Sequence, residues 1–218
     1  MNDLKKNMIF DLSKTAFVAI DMQKGIVNNG TLSPHTAASI LTNNDSLAKT
    51  LKRTAALKVL VNVDISTFPY LSQQTDMGGM TAASVPPEFT DLLLKDSLKD
   101  TDNMLTITKY NPSAFFGTSL DLQLRRRGIE TIILSGVATT NGVYATALDA
   151  FQHGYHVVLA EDACSDRDKE SHQLFIKKIF PKTARVRSTK QIIEAIQQSK
   201  WGTSVCDFHL LLFDFMGK

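Results

Sequence analysis

Short apolar runs that stop at polar or charged residues recur along this chain, with helical patterns filling the intervals. Ala16 to Ile20 stops at Asp21, Val59 to Val63 at Asp64, Met104 to Thr108 at Lys109, Ile132 to Val137 at a polar turn, and Val157 to Ala160 at Glu161-Asp162. A run that is apolar at nearly every position has no face to give to water, so each reads as a strand buried on both sides. The intervals supply the covers. Ile40, Leu41, Leu47, Leu51 and Ala55 form one apolar face between residues 36 and 57. Leu120, Leu122 and Leu124 lie in a later helix that closes at Arg125-Arg126-Arg127-Gly128, where cations suit the negative end and glycine suits the stop. Another helix runs from the polar turn to Gly154, and a further one spans Ser171 to Ile179. A short sixth strand at Arg185 to Arg187 and a helix from Lys190 to Gln198 follow. The expected fold is α/β, a three-layer α-β-α arrangement around a mostly parallel six-stranded sheet.

At 218 residues and 43% apolar, the chain suits one core, assigned to residues 1–199. A formal charge of +2 gives no footprint for nucleic acid or a membrane surface. No stretch reaches the length of a membrane span. The first eleven residues are polar and charged, unlike a signal peptide. Two cysteines, Cys164 and Cys206, form neither a disulfide framework nor a metal-ligand spacing, so a cytoplasmic protein is expected. Two segments fall outside the β-α pattern. Phe68 to Pro87 is irregular and rich in Gly, Pro, Ser, Thr and Gln, a lid over a site or a plain structural loop. Residues 200–218 end in Leu210-Leu-Leu-Phe-Asp-Phe215, a tail that packs on a second subunit, covers the core, or merely extends the chain.

In open parallel sheets ligands bind beyond the carboxyl ends of the strands. Asp21, Lys109 and the turn Val137-Ala138-Thr139-Thr140-Asn141-Gly142 stand at such ends, with Asp64 and Asp162 on the same rim. An acid and an amine leaving the sheet in one direction form either a catalytic pair in a cleft or a salt bridge that closes the sheet. Gln23 either orients the Asp21 carboxylate or caps a helix. Phe115 and Phe116 build a pocket wall or pack in the core. Cys164 is a small buried side chain or a displaced nucleophile. His35, His153, His156, His172 and His209 are scattered, as surface or helix-terminal residues would be, and no metal site is expected.

Four segments together resemble the isochorismatase-like hydrolase superfamily: Ala16-Phe-Val-Ala-Ile-Asp-Met-Gln-Lys-Gly-Ile-Val27, Lys109 to Gly128, Gly136-Val-Ala-Thr-Thr-Asn-Gly-Val143 and Glu161-Asp-Ala-Cys-Ser-Asp166. The resemblance runs from about Lys14 to Ile196, with the motifs in order. It implies a Rossmann-like fold, no cofactor, a small-molecule substrate and a homodimer or larger homo-oligomer. It also implies catalytic roles for Asp21 and Lys109, and a cis peptide at Val137-Ala138. Many members use an Asp-Lys-Cys triad, and Gly142 stands at the cysteine's position. True isochorismatases also carry glycine there and hydrolyse a vinyl ether rather than an amide. The chain departs from its relatives in having no histidine in Asp64-Ile-Ser-Thr-Phe68, Ala138-Thr139-Thr140 in place of Tyr-Ala-His, and Tyr144 in place of a glutamate.

On this reading Asp21, Lys109 and Gly142 form the catalytic centre, and Gln23, Phe115, Val137, Ala138, Thr139 and Asn141 contact substrate. Asp21 as general acid would protonate the alkene carbon of a vinyl ether. Lys109 alone would lower its pKa by about 1 to 3 units, and burial pushes the other way. An anionic substrate engaging Lys109 would tip the balance towards the protonated acid. An ionised Asp21 would instead activate water, with turn amides facing an oxyanion. The alternatives are amide hydrolysis by water, and a relative that binds a metabolite without turning it over.

Overall fold

The strands of the computed structural model, which describes residues 8–68, 76, 86–99 and 101–199, lie where the apolar runs are. They are β1 (Thr15–Ile20), β2 (Leu57–Val63), β3 (Met104–Lys109), β4 (Thr131–Val137), β5 (His156–Ser165) and β6 (Arg185–Arg187). All pair in parallel, in the order β3-β2-β1-β4-β5-β6. Every residue of β1 and β2 is buried, as the unbroken apolar runs require. The central pair is β1 against β4, with Thr15 opposite Thr131 and Ile20 opposite Gly136. From there the chain winds outward one way through β2 and β3, and the other way through β5 and β6.

Side chains alternate between two covers. Phe17 and Ala19 of β1 pack with Leu60, Ile133 and Val158 under α2 (Ala37–Leu51), which follows the one-turn α1 (Lys24–Val27), through Ile40, Leu47 and Leu51. The last helix, residues 189–199, adds Ile192 and Ile196 to the same face. Ala16, Val18 and Ile20 face the opposite way, with α3 (Leu120–Arg126) and α4 (Tyr144–Gln152) closing over them. α2 begins where the Thr36 hydroxyl accepts the Ser39 N–H at 3.2 Å. Its one buried polar side chain, Asn44, is fully used: it donates to the carbonyls of Ile40 and Ala163, both at 2.8 Å, and accepts from the Ser135 hydroxyl at 2.6 Å.

Three elements differ from expectation. β5 does not stop at Ala160 but runs on to Ser165. Between Leu134 and Gly136 of β4 the partner moves from Leu159 to Cys164, so residues 160–163 bulge away from the ladder with β4, while Ala160 still pairs with Arg187 of β6. On its other side Gly136 meets β1 closely: its φ is +122°, and a Cβ there would stand 2.0 Å from the Ile20 carbonyl oxygen. The bulge turns Asp162 off the rim, where its Oδ1 accepts the Thr189 N–H at 2.6 Å and caps the last helix. α4 is preceded by a π-turn, Thr139–Val143. α5 is shorter than expected, Lys169–Leu174, and continues as a second π-turn, Phe175–Ile179. The irregular segment Phe68 to Pro87, lid or loop, falls largely outside the described residues, and the tail wholly so. No helix among the described residues is long and apolar enough to cross a membrane.

Candidate active site

β1 ends in a backbone reversal. Asp21 has φ +51°, the left-handed region that non-glycine residues seldom occupy, yet its N–H still bonds the Val61 carbonyl at 2.9 Å. Its carboxylate Oδ2 lies 2.9 Å from Lys109 Nζ. Lys109 comes from β3, two strands away in the sheet, so its long side chain must cross the end of β2 to make this pair. Both side chains are almost wholly buried, 7% and 2% exposed.

The ammonium has no donor left for a ligand. Besides Asp21, it bonds the carbonyls of Asn111 at 3.2 Å and Pro112 at 3.0 Å, and a lysine has three N–H groups to give. A substrate carboxylate therefore cannot engage Lys109 unless it displaces one of these. The carboxylate is the opposite case, since its Oδ1 is buried and unpartnered. Burial raises the Asp21 pKa to about 6, against the pull of the Lys109 charge and hydrogen bond. Desolvation wins the contest.

Gly142 completes the centre. A Cβ on it would stand 3.2 Å from Asp21 Oδ2, 3.2 Å from Ile20 Cγ2 and 3.4 Å from Lys109 Nζ, so this position faces the pair directly. The Val137-Ala138 peptide leading into the turn is cis. Three turn amides are already committed. Thr140 N–H bonds Asp166 Oδ2 at 2.7 Å, and those of Asn141 and Val143 bond the Ala138 carbonyl at 3.1 and 3.2 Å. These three cannot form the expected oxyanion site.

A cavity of about 840 Å³ opens over Asp21, Lys109 and Gly142. Val137, Ala138 and Asn141 line it, whereas Gln23, Phe115 and Thr139 do not. Gln23 is fully buried with both ends of its amide taken: Nε2 donates to the Val63 and Phe89 carbonyls, and Oε1 accepts the Val63 N–H at 2.7 Å. It fastens the wall of the cavity and does not orient the acid. Phe115 stacks on His153 and packs in the core under the other helical layer. The Thr139 hydroxyl is 2.8 Å from His172 Nδ1. His172 itself is buried and stands in the last turn of α5, the helix-terminal one of the two placements expected for the histidines. Cys164 is buried as well, and that burial pushes its thiol pKa well up, so it is no displaced nucleophile. Cys206 and His209 lie outside the described residues.

Sequence reasoning missed the far wall. Ile65, Phe68 and Phe89 supply an apolar surface, and Lys24 and Arg167 bring positive charge beside the carboxylate of Glu88. Lys24 is paired with Asp91 at 2.9 Å. Arg167 is exposed, and its Nη2 donates to the Ile26 carbonyl at 2.8 Å. Extending β5 to Ser165 would have found Arg167, since it would then follow a strand end as Asp21 does.

The isochorismatase domain profile matches residues 15–191. The chain belongs to the isochorismatase family. An uncharacterized isochorismatase family protein of Escherichia coli O157:H7, YecD, is 38% identical over 182 residues, covering 84% of this chain and 96% of that one. A solved isochorismatase family protein from Burkholderia thailandensis superposes with a TM-score of 0.77 at 29% identity, covering 87% of this chain and 98% of the other. The maleamate amidohydrolase of Pseudomonas putida shares 35% identity over a shorter stretch of 69 residues, 32% of each chain. In this chain the fold thus holds an acid-amine pair at the switch point of its sheet, beneath a cleft lined by an apolar wall and by Lys24, Glu88 and Arg167.

Proposed function

We propose that this isochorismatase-family chain hydrolyses a small anionic substrate, with vinyl ether cleavage favoured and Asp21 as general acid. The observation that carries the reading is the unpartnered Oδ1 of a buried carboxyl whose pKa is raised to about 6. Lys109 donates to Oδ2, so the proton of the neutral acid sits on Oδ1, the oxygen without a partner. Transfer of that proton to the terminal alkene carbon leaves an oxocarbenium ion. Water adds to it, and the resulting hemiketal breaks its C–O bond to release a ketone and an alcohol. Asp21, now ionised, is stabilised by Lys109 until it takes up a proton again. Because Lys109 has no donor to spare, Arg167 at the mouth takes the substrate carboxylate in this proposal, and Ile65, Phe68 and Phe89 flank the apolar body.

Pyruvate release from isochorismate, followed on wild type, Asp21→Asn and Arg167→Gln, tests the reading. Wild type should turn over, Asp21→Asn should lose about 10²-fold or more in kcat, and Arg167→Gln should act mainly through a raised KM. Wild type that binds isochorismate without releasing pyruvate would leave the chain a metabolite binder. The amidohydrolase relative favours a second reading, amide hydrolysis by water with ionised Asp21 as base. Maleamate is its first test substrate, and turnover of maleamate but not isochorismate would replace the first reading with this one. Homo-oligomeric assembly and a separate role for residues 200–218 belong with the same proposal; light scattering of the full chain and of a chain ending at 199 tests both.

A further inference from the structure

Neither Thr139 nor His172 lines the cavity, yet the two form a buried polar pair directly behind the turn that carries Asn141 and Gly142. Thr139 opens that turn, and its Oγ1 is 2.8 Å from His172 Nδ1 on α5. The His35 ring meets the His172 ring edge-on, with centroids 5.5 Å apart. Asp166 secures the next residue by accepting the Thr140 N–H, while its backbone exchanges two hydrogen bonds with Ser33, at 2.8 and 3.1 Å. The Ser165 hydroxyl bonds the His35 carbonyl at 2.7 Å. A pair of apolar side chains would fill this space without directing anything. A hydrogen bond in a dry environment has a preferred angle and is costly to leave unmade.

We infer that His172 is a positioning residue: through the Thr139 hydroxyl it sets how the Gly142 segment meets the Asp21–Lys109 pair. The inference rests on the proposed reading of that pair as the catalytic centre. His172 stays neutral at pH 7, because burial first and His35 second hold its pKa down at about 4, against the pull of Asp166. A neutral imidazole has one N–H and one bare nitrogen, and either at Nδ1 satisfies a threonine hydroxyl. Asparagine offers its amide at the Nδ1 position in either role, whereas phenylalanine fills the space and bonds nothing.

The test needs no substrate. In the full chain, Gly142→Cys places a thiol against Asp21 and Lys109, and Cys206→Ser removes the competing thiol of the tail. Iodoacetamide alkylation across pH then reports the thiol's surroundings, with Cys164 silent because it is buried. In this background His172→Phe should change the alkylation rate at pH 7 by about threefold or more, with a shifted midpoint. Thr139→Val should do the same, and the double variant should add nothing further. His172→Asn should restore the parent profile. Profiles left unmoved by Phe and Val, or an Asn variant that behaves as Phe does, would overturn the assignment in favour of simple core filling. Should His172→Phe not fold, Thr139→Val against His172→Asn decides the same question. Asp21→Asn in the same background separates the two readings: a profile blind to Asp21 undermines the catalytic centre, while the comparison at His172 stands by itself.

Discussion

Asp21 combines a positive φ, deep burial and one carboxylate oxygen without a partner, and each of these costs stability. A salt bridge serving only to close the sheet would satisfy both oxygens. The pKa of about 6 makes the role of Asp21 testable by its pH dependence. As a general acid, Asp21 works protonated, so kcat/KM should be level below about pH 6 and fall about tenfold per unit above it. As a base it would give the mirror image, rising through the same point. A pH–rate profile on whichever substrate turns over decides between them. At this scale Asp21 and Lys109 were legible in the sequence because each ends a strand, and strand ends of a parallel sheet share one edge. Gln23, Phe115 and Thr139 were not, because a short stretch of sequence does not say which way a side chain turns after the strand stops.

Elements deliver these side chains only when they are fastened to one another. Gln23 does this for the segment from Pro86 to Asp91, since its amide bonds β2 at Val63 and the Phe89 carbonyl together. The Lys24 N–H bonds the Asp91 carbonyl at 2.9 Å beside it, and the Phe89 ring lies where a Cβ on Gly25 would be, 2.0 Å away. Gln23→Leu keeps the bulk and removes all three bonds, leaving buried backbone groups unsatisfied. It should cost about 2 to 4 kcal/mol in urea unfolding. A loss below about 0.5 kcal/mol would mean that water or a shift of the loop replaces the amide. The overrun of β5 belongs to this scale too. Alternation and apolar content end the strand at Ala160, because Glu161-Asp162 looks like a rim; only the pairing of Cys164 with Gly136 shows the strand resuming after a bulge.

Over the whole molecule, two buried groups titrate against each other. Asp21 has a raised pKa in the folded chain, so its contribution to stability is full below 3.8 and is lost as pH rises through about 6. His172 has a depressed one, so its contribution is present above 6.5 and is lost as pH falls through about 4. The windows overlap and the signs oppose. Relative to wild type, Asp21→Asn should therefore lose stability more steeply between pH 6.5 and 4, and His172→Phe should lose it less steeply or gain. Thermal melts at half-unit intervals measure this, and parallel curves for all three proteins would contradict it. What the amino-acid order determined by itself was the layered parallel sheet and the edge where the acid and amine emerge. Both follow from local burial: an unbroken apolar run must be covered on two sides, and its polar terminus must leave the core. Only the tertiary structure decided which groups meet. Lys109 had to cross a strand to reach Asp21, Asn111 and Pro112 had to consume its remaining protons, and Arg167 had to be carried to the mouth by a bulge. Those are distances between segments far apart in the chain, and no local pattern records them.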